Sequence, residues 1–234
     1  MPKNRIKLFC IPYGGASALV YTEMEKFLND SIELFPVELA GRGLRFKDPY
    51  YCSFWNAIDE IASTIVDETT ASEYALFGHC MGSLITYEVC RKINNMNYKA
   101  PIHVFFSGSR APHDRKLGKL MGEMSEQEVI DELLEIGRID EALYKDNERL
   151  SSFLPVWKAD CNMMDHYTFQ PYKLSSNMTV FGGKNDELVS FSDLQEWEKY
   201  ADGKFAIHEI EGDHFFINNN REIVVNIINA SLCQ

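Results

Sequence analysis

The chain has 234 residues, of which 45% are apolar, 12% aromatic and 25% charged. This composition is typical of a globular protein and excludes the disordered and fibrous classes. The 35 Asp and Glu residues outnumber the 23 Lys and Arg residues and give a formal net charge of −12, so no broad basic face for nucleic acid is expected.

No run of apolar residues approaches the ~20 residues that a membrane span requires, and the first apolar stretch is too short for a signal peptide. The six cysteines form no close CxxC pairs, which is typical of free thiols in a reducing cytoplasm. We therefore expect a cytoplasmic monomer without membrane or nucleic-acid partners. A chain of this length can surround one core, so we predict a single domain over 1–234.

Short apolar runs rich in Ile, Val and Phe predict six β-strands, and longer helix-like segments separate them. The predicted strands span 7–11, 32–38, 74–78, 102–108, 178–183 and 205–210, and the predicted helices span 54–69, 83–93, 193–200 and 221–230. The strands are apolar on both faces, as in a sheet covered on both sides. The alternation predicts an α/β fold with a mostly parallel sheet flanked by helices.

One stretch, from about 113 to 167, interrupts this alternation. It contains no strand signal; Ser125 and Glu128 form a capping box ahead of an apolar-periodic run, and a second helical run follows around 140–157. Helices inserted between two strands are most simply a lid over the carboxyl edge of the sheet, where open α/β sheets bind ligands. The alternative is that they only pack on the sheet.

The predicted strand 74–78 leads directly into the sequence Gly-His-Cys-Met-Gly at 78–82, and a helix follows near Ser83. This is a G-x-nucleophile-x-G pattern in a strand-turn-helix setting, in which small flanking residues let strand and helix approach closely. The helix N-terminus would favour a thiolate at Cys80. The alternative is a glycine-flanked turn that carries a packed cysteine.

An acid and a histidine follow this elbow in the order that such a nucleophile requires. Asp186 lies just past the strand 178–183, and His214 lies after the last predicted strand. We therefore predict that Cys80 attacks a carbonyl, that His214 takes and returns a proton, and that Asp186 orients the imidazole. Glu187 and Asp213 are neighbouring acids that could compete for the third role.

The same chemistry requires an oxyanion hole. One donor is expected to be the backbone N–H of Met81, directly after the nucleophile. The other is expected from the glycine-rich loop after the first strand, where the N–H of either Tyr13 or Gly14 could serve. Read as a phosphate cradle, this loop lacks the required glycine and lysine spacing.

These segments resemble the type II thioesterases that accompany nonribosomal peptide and polyketide synthases, which are α/β-hydrolases. The resemblance covers nearly the whole chain and rests on five segments: FCIPYGGAS at 9–17, ELAGRGLRF at 38–46, YALFGHCMGS at 74–83, LPVWKAD at 154–160 and GDHFF at 212–216.

The resemblance implies hydrolysis of acyl or aminoacyl groups from the phosphopantetheine arm of acyl or peptidyl carrier proteins, with no cofactor. Cys80, Asp186 and His214 would then be the catalytic triad. The chain departs from the family where Cys80 replaces the usual Ser and Ala40 the usual Pro. Because acyl-cysteine is itself a thioester, a native cysteine would favour acyl transfer or amide formation, whereas an introduced one would slow or trap turnover.

Three other readings remain open at the level of sequence. The chain could be a Cys-dependent acyltransferase or amide-forming enzyme, a catalytically silent relative that binds carrier proteins, or a cyclic-ester hydrolase similar to dienelactone hydrolase. No His or Cys spacing typical of a metal site occurs, so no metal is expected.

Several basic residues are candidates for docking an acidic carrier or for binding the pantetheine phosphate, and one aromatic residue is a candidate for lining an acyl pocket. The basic candidates are Arg110, Arg115, Lys116, Lys119, Arg42, Arg45 and Lys47, and the aromatic candidate in the predicted lid is Trp157. The alternatives are solvated surface for the charges and lid core for the tryptophan.

Overall fold

The computed structural model describes residues 5–114, 124–139, 141–165 and 167–233. Within these ranges, six parallel strands form one sheet in the order β2-β1-β3-β4-β5-β6. The strands are β1 Ile6–Ile11, β2 Ile32–Pro36, β3 Tyr74–His79, β4 His103–Ser107, β5 Asn177–Gly183 and β6 Phe205–Ile210. All six predicted strands are present, and the prediction of an α/β sheet is confirmed.

In the described part of the chain, seven α-helices connect or cover the strands. They are α1 Phe54–Glu68, α2 Met81–Asn95, α3 Glu126–Glu135, α4 Glu141–Lys145, α5 Asn147–Asp165, α6 Phe191–Gln195 and α7 Arg221–Leu232. Short 3₁₀ helices span Ala18–Phe27, Gly43–Arg45, Glu196–Tyr200 and Phe216–Asn218. Buried side chains pack on both faces of the sheet in two apolar clusters, which explains why the strand sequences are apolar throughout.

Two predicted helices begin earlier than the sequence pattern indicated. The helix predicted at 193–200 starts at Phe191 because Ser190 and Asp193 form a capping box, and it continues as a 3₁₀ helix. The helix predicted at 83–93 starts at Met81, because the turn at Cys80 leads directly into it. The capping box of Ser125 and Glu128 is present as predicted.

The strand order places the site. From β1 the chain adds β2 on one side and then returns to place β3 on the other side of β1. The order therefore reverses between β1 and β3, and such a switch point opens a crevice at the carboxyl ends of the strands. The loop after β1 and the turn after β3 meet there.

Helices α3, α4 and α5 lie between β4 and β5 in the chain, and we call them the inserted helices. They have a small apolar cluster of their own, formed by Val129, Ile130, Leu133, Ile139, Leu150 and Leu154. Phe153 and Trp157 of α5 pack against this cluster. Both rings also reach the loop after β1, since a Cβ built on Gly15 would lie 2.6 Å from Phe153 and 3.3 Å from Trp157.

Candidate active site

Cys80 lies in a strained turn between β3 and α2, with φ 52° and ψ −115°. A non-glycine residue rarely adopts such a conformation, which costs on the order of 1–3 kcal/mol. The flanking glycines are required because a Cβ on Gly78 would lie 2.2 Å from the carbonyl oxygen of Gly82, and one on Gly82 would lie 2.2 Å from that of Ile11.

Hydrogen bonds to β4 hold this turn in place. The N–H of Cys80 donates to the carbonyl oxygen of Ser107 at 2.8 Å. The hydroxyl of Ser83 donates to the carbonyl of Gly78 at 2.7 Å and accepts from the N–H of Ser107 at 3.0 Å. The main chain of the elbow is thus bonded to the neighbouring strand on both sides of the cysteine.

Asp186 and His214 meet at the same edge of the sheet. Nδ1 of His214 and Oδ2 of Asp186 are 2.8 Å apart, and the two side chains are 6% and 0% exposed. Oδ1 of Asp186 accepts the N–H groups of Leu188 and Val189 at 2.9 and 3.0 Å. The carboxylate is therefore fixed by three hydrogen bonds.

Neither of the two competing acids is bonded to the imidazole of His214. Glu187 is exposed, and Oδ1 of Asp213 accepts the N–H of Phe215 at 2.8 Å. Of the three acids considered from sequence, Asp186 is the one bonded to His214.

Cys80 and His214 form an electrostatically coupled pair. Burial would raise the pKa of the Cys80 thiol, but the positive charge of His214 and hydrogen bonding, including one from the N–H of Met81, lower it. Burial would lower the pKa of His214, but the negative charge of Cys80 and the hydrogen bond to Asp186 raise it to about 10. The pairing therefore favours a thiolate facing an imidazolium over a neutral thiol facing a neutral imidazole.

His79, next to the nucleophile, is a packing residue. Its Nδ1 lies 2.8 Å from the hydroxyl of Ser107, and its ring packs against Gly108, where a Cβ would lie 2.6 Å away. Burial lowers the pKa of His79 well below its usual value, so the ring is neutral at physiological pH.

The loop after β1 leaves two N–H groups on the side of the crevice. Pro12 has no N–H, and the N–H of Gly15 donates to Oδ2 of Asp160 at 2.7 Å. Among the described residues, the N–H groups of Tyr13 and Gly14 have no hydrogen-bond acceptor. These are the two donors between which the sequence could not choose.

Two contacts from the inserted helices were not predicted from sequence. Asp160 forms a buried, bidentate ion pair with Arg42, at 2.7 and 2.5 Å. Arg138, which follows α3, donates from Nε to the carbonyl oxygen of Gly14 at 3.1 Å. In each of these two contacts the bonded residues lie more than 100 positions apart in the chain. No local sequence signal connects them.

A cavity of about 460 Å³ opens beside Cys80 and His214, a volume within the range of small-molecule sites. Its walls include the apolar side chains of Met81, Leu84 and Val189. Met164 of α5 also lines it, so the inserted helices contribute to the cavity wall.

The predicted carrier-binding residues have different surroundings. Arg115, Lys116 and Lys119 lie outside the described residues. Arg110 lines the cavity, but its guanidinium is bonded to Asp114, Asp193 and the carbonyl oxygen of Leu188, next to Asp186. In this structure Arg110 supports the loop that carries the acid.

The three basic candidates for carrier binding in the loop after β2 differ in exposure. Arg42 is buried in its ion pair with Asp160, so the interpretation of this residue as a surface docking residue is wrong. Arg45 is bonded to Asp48 and Glu60. Lys47 is exposed, and the apolar side chains of Leu44 and Phe46 beside it are 83% and 67% exposed.

Trp157 packs against Gly14, where a Cβ would lie 3.0 Å from its ring. Its aromatic surface therefore joins α5 to the loop after β1.

Among residues 5–114, 124–139, 141–165 and 167–233, no group of three or more His, Cys, Asp or Glu side chains is arranged to hold a metal ion. Within the same ranges, no helix has the length and apolar character needed to cross a membrane.

Comparison with known proteins gives a consistent result. The model of the thioesterase domain family matches residues 6–232. Over 231 residues the chain is 31% identical to a Brevibacillus parabrevis protein named linear gramicidin dehydrogenase LgrE, covering 97% of this chain and 88% of that protein. It is 30% identical over 234 residues to the medium-chain S-acyl fatty acid synthase thioesterase of Rattus norvegicus, with coverage of 97% and 88%.

A solved structure extends this similarity to three dimensions. The crystal structure of ClbQ from the colibactin NRPS/PKS pathway superposes with a TM-score of 0.91 at 30% identity, covering 97% of each chain.

Proposed function

The chain belongs to the thioesterase domain family, and on this premise we propose that it is an editing thioesterase of nonribosomal peptide or polyketide synthesis. Its substrates are acyl or aminoacyl groups carried on the phosphopantetheine arm of carrier proteins. The enzyme is a thioester hydrolase with an α/β-hydrolase fold, and its proposed catalytic residues are Cys80, His214 and Asp186.

The observation that carries the proposal is the arrangement of Cys80, His214 and Asp186 beside one cavity. The imidazolium of His214 lowers the pKa of the Cys80 thiol, which favours the nucleophilic thiolate. Cys80 lies in a strained elbow beside a cavity of about 460 Å³. Asp186, bonded to Nδ1 of His214, supports a catalytic Cys-His-Asp triad.

In the proposed first step, the thiolate of Cys80 attacks the thioester carbonyl carbon. The C–S bond to pantetheine breaks, and the proton of the His214 imidazolium passes to the departing pantetheine sulfur. The product is acyl-Cys80 and a neutral imidazole.

In the second step, His214 takes a proton from water as the water oxygen attacks the acyl-Cys80 carbonyl. The C–S bond to Cys80 breaks, the carboxylic acid leaves, and the thiolate–imidazolium pair is restored. The sum of the two steps is one thioester and one water converted to one acid and one thiol, with no cofactor required.

Both tetrahedral intermediates carry an oxyanion, for which backbone donors are proposed. Met81 supplies one N–H at the start of α2, and Tyr13 or Gly14 supplies the other from the loop after β1. The hydrogen bond of the Met81 N–H to the Cys80 sulfur supports the first assignment.

The proposed carrier partner is an acidic protein. Arg115 and Lys116 remain proposed contacts for it, together with exposed Lys47 and its apolar neighbours Leu44 and Phe46. The inserted helices are proposed to form the lid over the acyl group, because Met164 lines the cavity.

The experiment that tests the function is intact-mass spectrometry of the protein mixed with short acyl-pantetheine thioesters. We expect an acyl adduct on Cys80 that forms and decays to free acid, and no adduct in Cys80→Ala. An adduct that persists until an amine or thiol is added would identify a transferase instead. Absence of any adduct in the unmodified protein would refute the assigned nucleophile.

A further inference from the structure

One peptide unit in the loop after β1 is held at both of its polar ends by the inserted helices. The carbonyl oxygen of Gly14 accepts a hydrogen bond from Nε of Arg138 at 3.1 Å. The N–H of Gly15 donates to Oδ2 of Asp160 at 2.7 Å. Because these two groups belong to the same planar unit, the two bonds together fix the rotation of that plane.

Each of the two side chains is itself held in place. Asp160 is bound by both terminal nitrogens of buried Arg42. The guanidinium carbon of Arg138 lies 4.7 Å from the ring centroid of Phe153, 4.8 Å from that of Tyr13 and 5.6 Å from that of Phe215. Rings on several sides of the guanidinium limit its movement and add cation–π attraction.

The held peptide adjoins the groups proposed to bind the oxyanion. Gly14 contributes both the carbonyl bonded to Arg138 and an N–H on the preceding peptide. The two planes share the Cα atom of Gly14, so the bonds that hold the 14–15 plane also fix one end of the plane that carries the Gly14 N–H. The φ of +70° at Gly15 shows that this turn depends on a conformation that most residues avoid.

We propose that Arg138, acting with Asp160, is a positioning residue that holds the loop donor of the oxyanion hole in its productive orientation. The inference rests on the proposed function for the identity of the oxyanion, but it concerns any acylation of Cys80. In this arrangement the inserted helices complete the catalytic site.

Arg138 also carries a charge that contributes to lowering the pKa of Cys80, so the test has to separate position from charge. Three substitutions do this. Arg138→Met has similar length and neither charge nor N–H donor. Arg138→Gln is also neutral, but its Nε2 occupies the place of the arginine Nε and can donate to Gly14. Arg138→Lys keeps the charge. Arg149→Met, at an exposed arginine of α5, is the matched control.

Two reactions of Cys80 are to be compared in each variant. Acylation by p-nitrophenyl acetate, measured as the burst of p-nitrophenolate, passes through a tetrahedral oxyanion and requires no carrier or pantetheine. Alkylation by iodoacetamide, measured by intact mass at a pH that fully ionises the thiol, forms no oxyanion. Thermal melting confirms that each variant is folded.

We expect Arg138→Met to slow acylation by about tenfold to a hundredfold, within the range for an impaired oxyanion donor, and to change alkylation by less than twofold. Arg138→Gln is expected to recover at least part of the acylation rate, and Arg149→Met to match the unmodified protein.

Equal acylation rates in Arg138→Met and the unmodified protein would overturn the proposal. So would recovery by Arg138→Lys but not by Arg138→Gln, because charge alone would then explain the effect. A protein that shows the expected variant pattern but leaves acyl-pantetheine thioesters intact would refute the proposed function and leave the positioning role standing.

Discussion

The elbow around Cys80 and the loop after β1 meet at the carboxyl edge of the sheet, and different kinds of contact hold them. The elbow is held by main-chain groups of adjacent strands and by close packing at Gly78 and Gly82. The loop is held by Arg138 and Asp160, 124 and 145 positions further along the chain. The nucleophile is therefore fixed by the sheet. The proposed loop donor of the oxyanion hole is instead held by residues of the segment inserted between β4 and β5.

Replacing Asp186 by Asn sharpens this comparison, because it alters catalysis while leaving both segments in place. Asn cannot stabilise the imidazolium, and it favours the wrong tautomer of His214. We expect turnover of acyl-pantetheine to fall by about 10³–10⁴-fold, measured as kcat. The control is Glu187→Gln at the exposed neighbouring acid, and a similar loss there would contradict the assignment of Asp186.

Replacing Gly82 by Ala breaks the elbow side. The new Cβ would lie 2.2 Å from the carbonyl oxygen of Ile11, so the strand and helix have to move apart. We expect the free energy of unfolding to fall by ~3 kcal/mol or more, measured by denaturant unfolding. Gly137→Ala is the control, because its Cβ meets nothing within 4 Å and only its φ of +68° opposes the change. That strain costs about 1 kcal/mol, and equal losses in the two variants would exclude the close contact as the cause.

Replacing Asp160 by Asn breaks the loop side. The charge of Arg42, 6% exposed, would lose its partner. Removing one member of a buried pair costs ~3 kcal/mol, and we expect this loss in unfolding experiments together with slower acylation of Cys80. The control is Glu141→Gln, in the exposed pair with Lys145, where a loss under about 0.5 kcal/mol is expected. If folded Asp160→Asn is acylated at the unmodified rate, the ion pair stabilises the fold but does not position the loop after β1 for catalysis.

Replacing His214 by Ala tests the charge that links the two sides. Alkylation of Cys80 in the unmodified protein is expected to continue as the pH falls below the ~8.5 of an ordinary thiol, because the pKa of Cys80 is lowered. In the variant, burial remains and the imidazolium is gone, so the pH midpoint of Cys80 alkylation is expected to move upward. Exposed Cys52 is the internal control, because its alkylation should be the same in both proteins. An unmoved Cys80 midpoint would show that His214 does not set its pKa.

The parts of the molecule that sequence predicts well are those that depend on local patterns. Six apolar runs predicted the six strands, and the glycines around Cys80 predicted the elbow, because both signals lie within a few residues of the structure they describe. Asp186 and His214 were found by their positions after strands, since parallel strands bring their carboxyl ends to one edge.

Sequence could not predict the contacts between distant segments. Arg42 was interpreted as an exposed docking residue, but it is buried against Asp160 from α5. Arg138 gave no signal, because its partners are a main-chain carbonyl and three rings from other segments. Sequence could not show either that the N–H of Gly15, in the same loop, is already bonded to Asp160.

The ion pair between Arg42 and Asp160 has a consequence for recombining this protein with its relatives. The two residues are 118 positions apart, one in the loop after β2 and the other in the inserted helices. A chimera that exchanges residues 113–167 alone would succeed where the donor segment brings an acid to the place of Asp160. If the relative lacks that acid, the chimera must also take the relative's loop around residue 42. The two segments therefore have to be exchanged together.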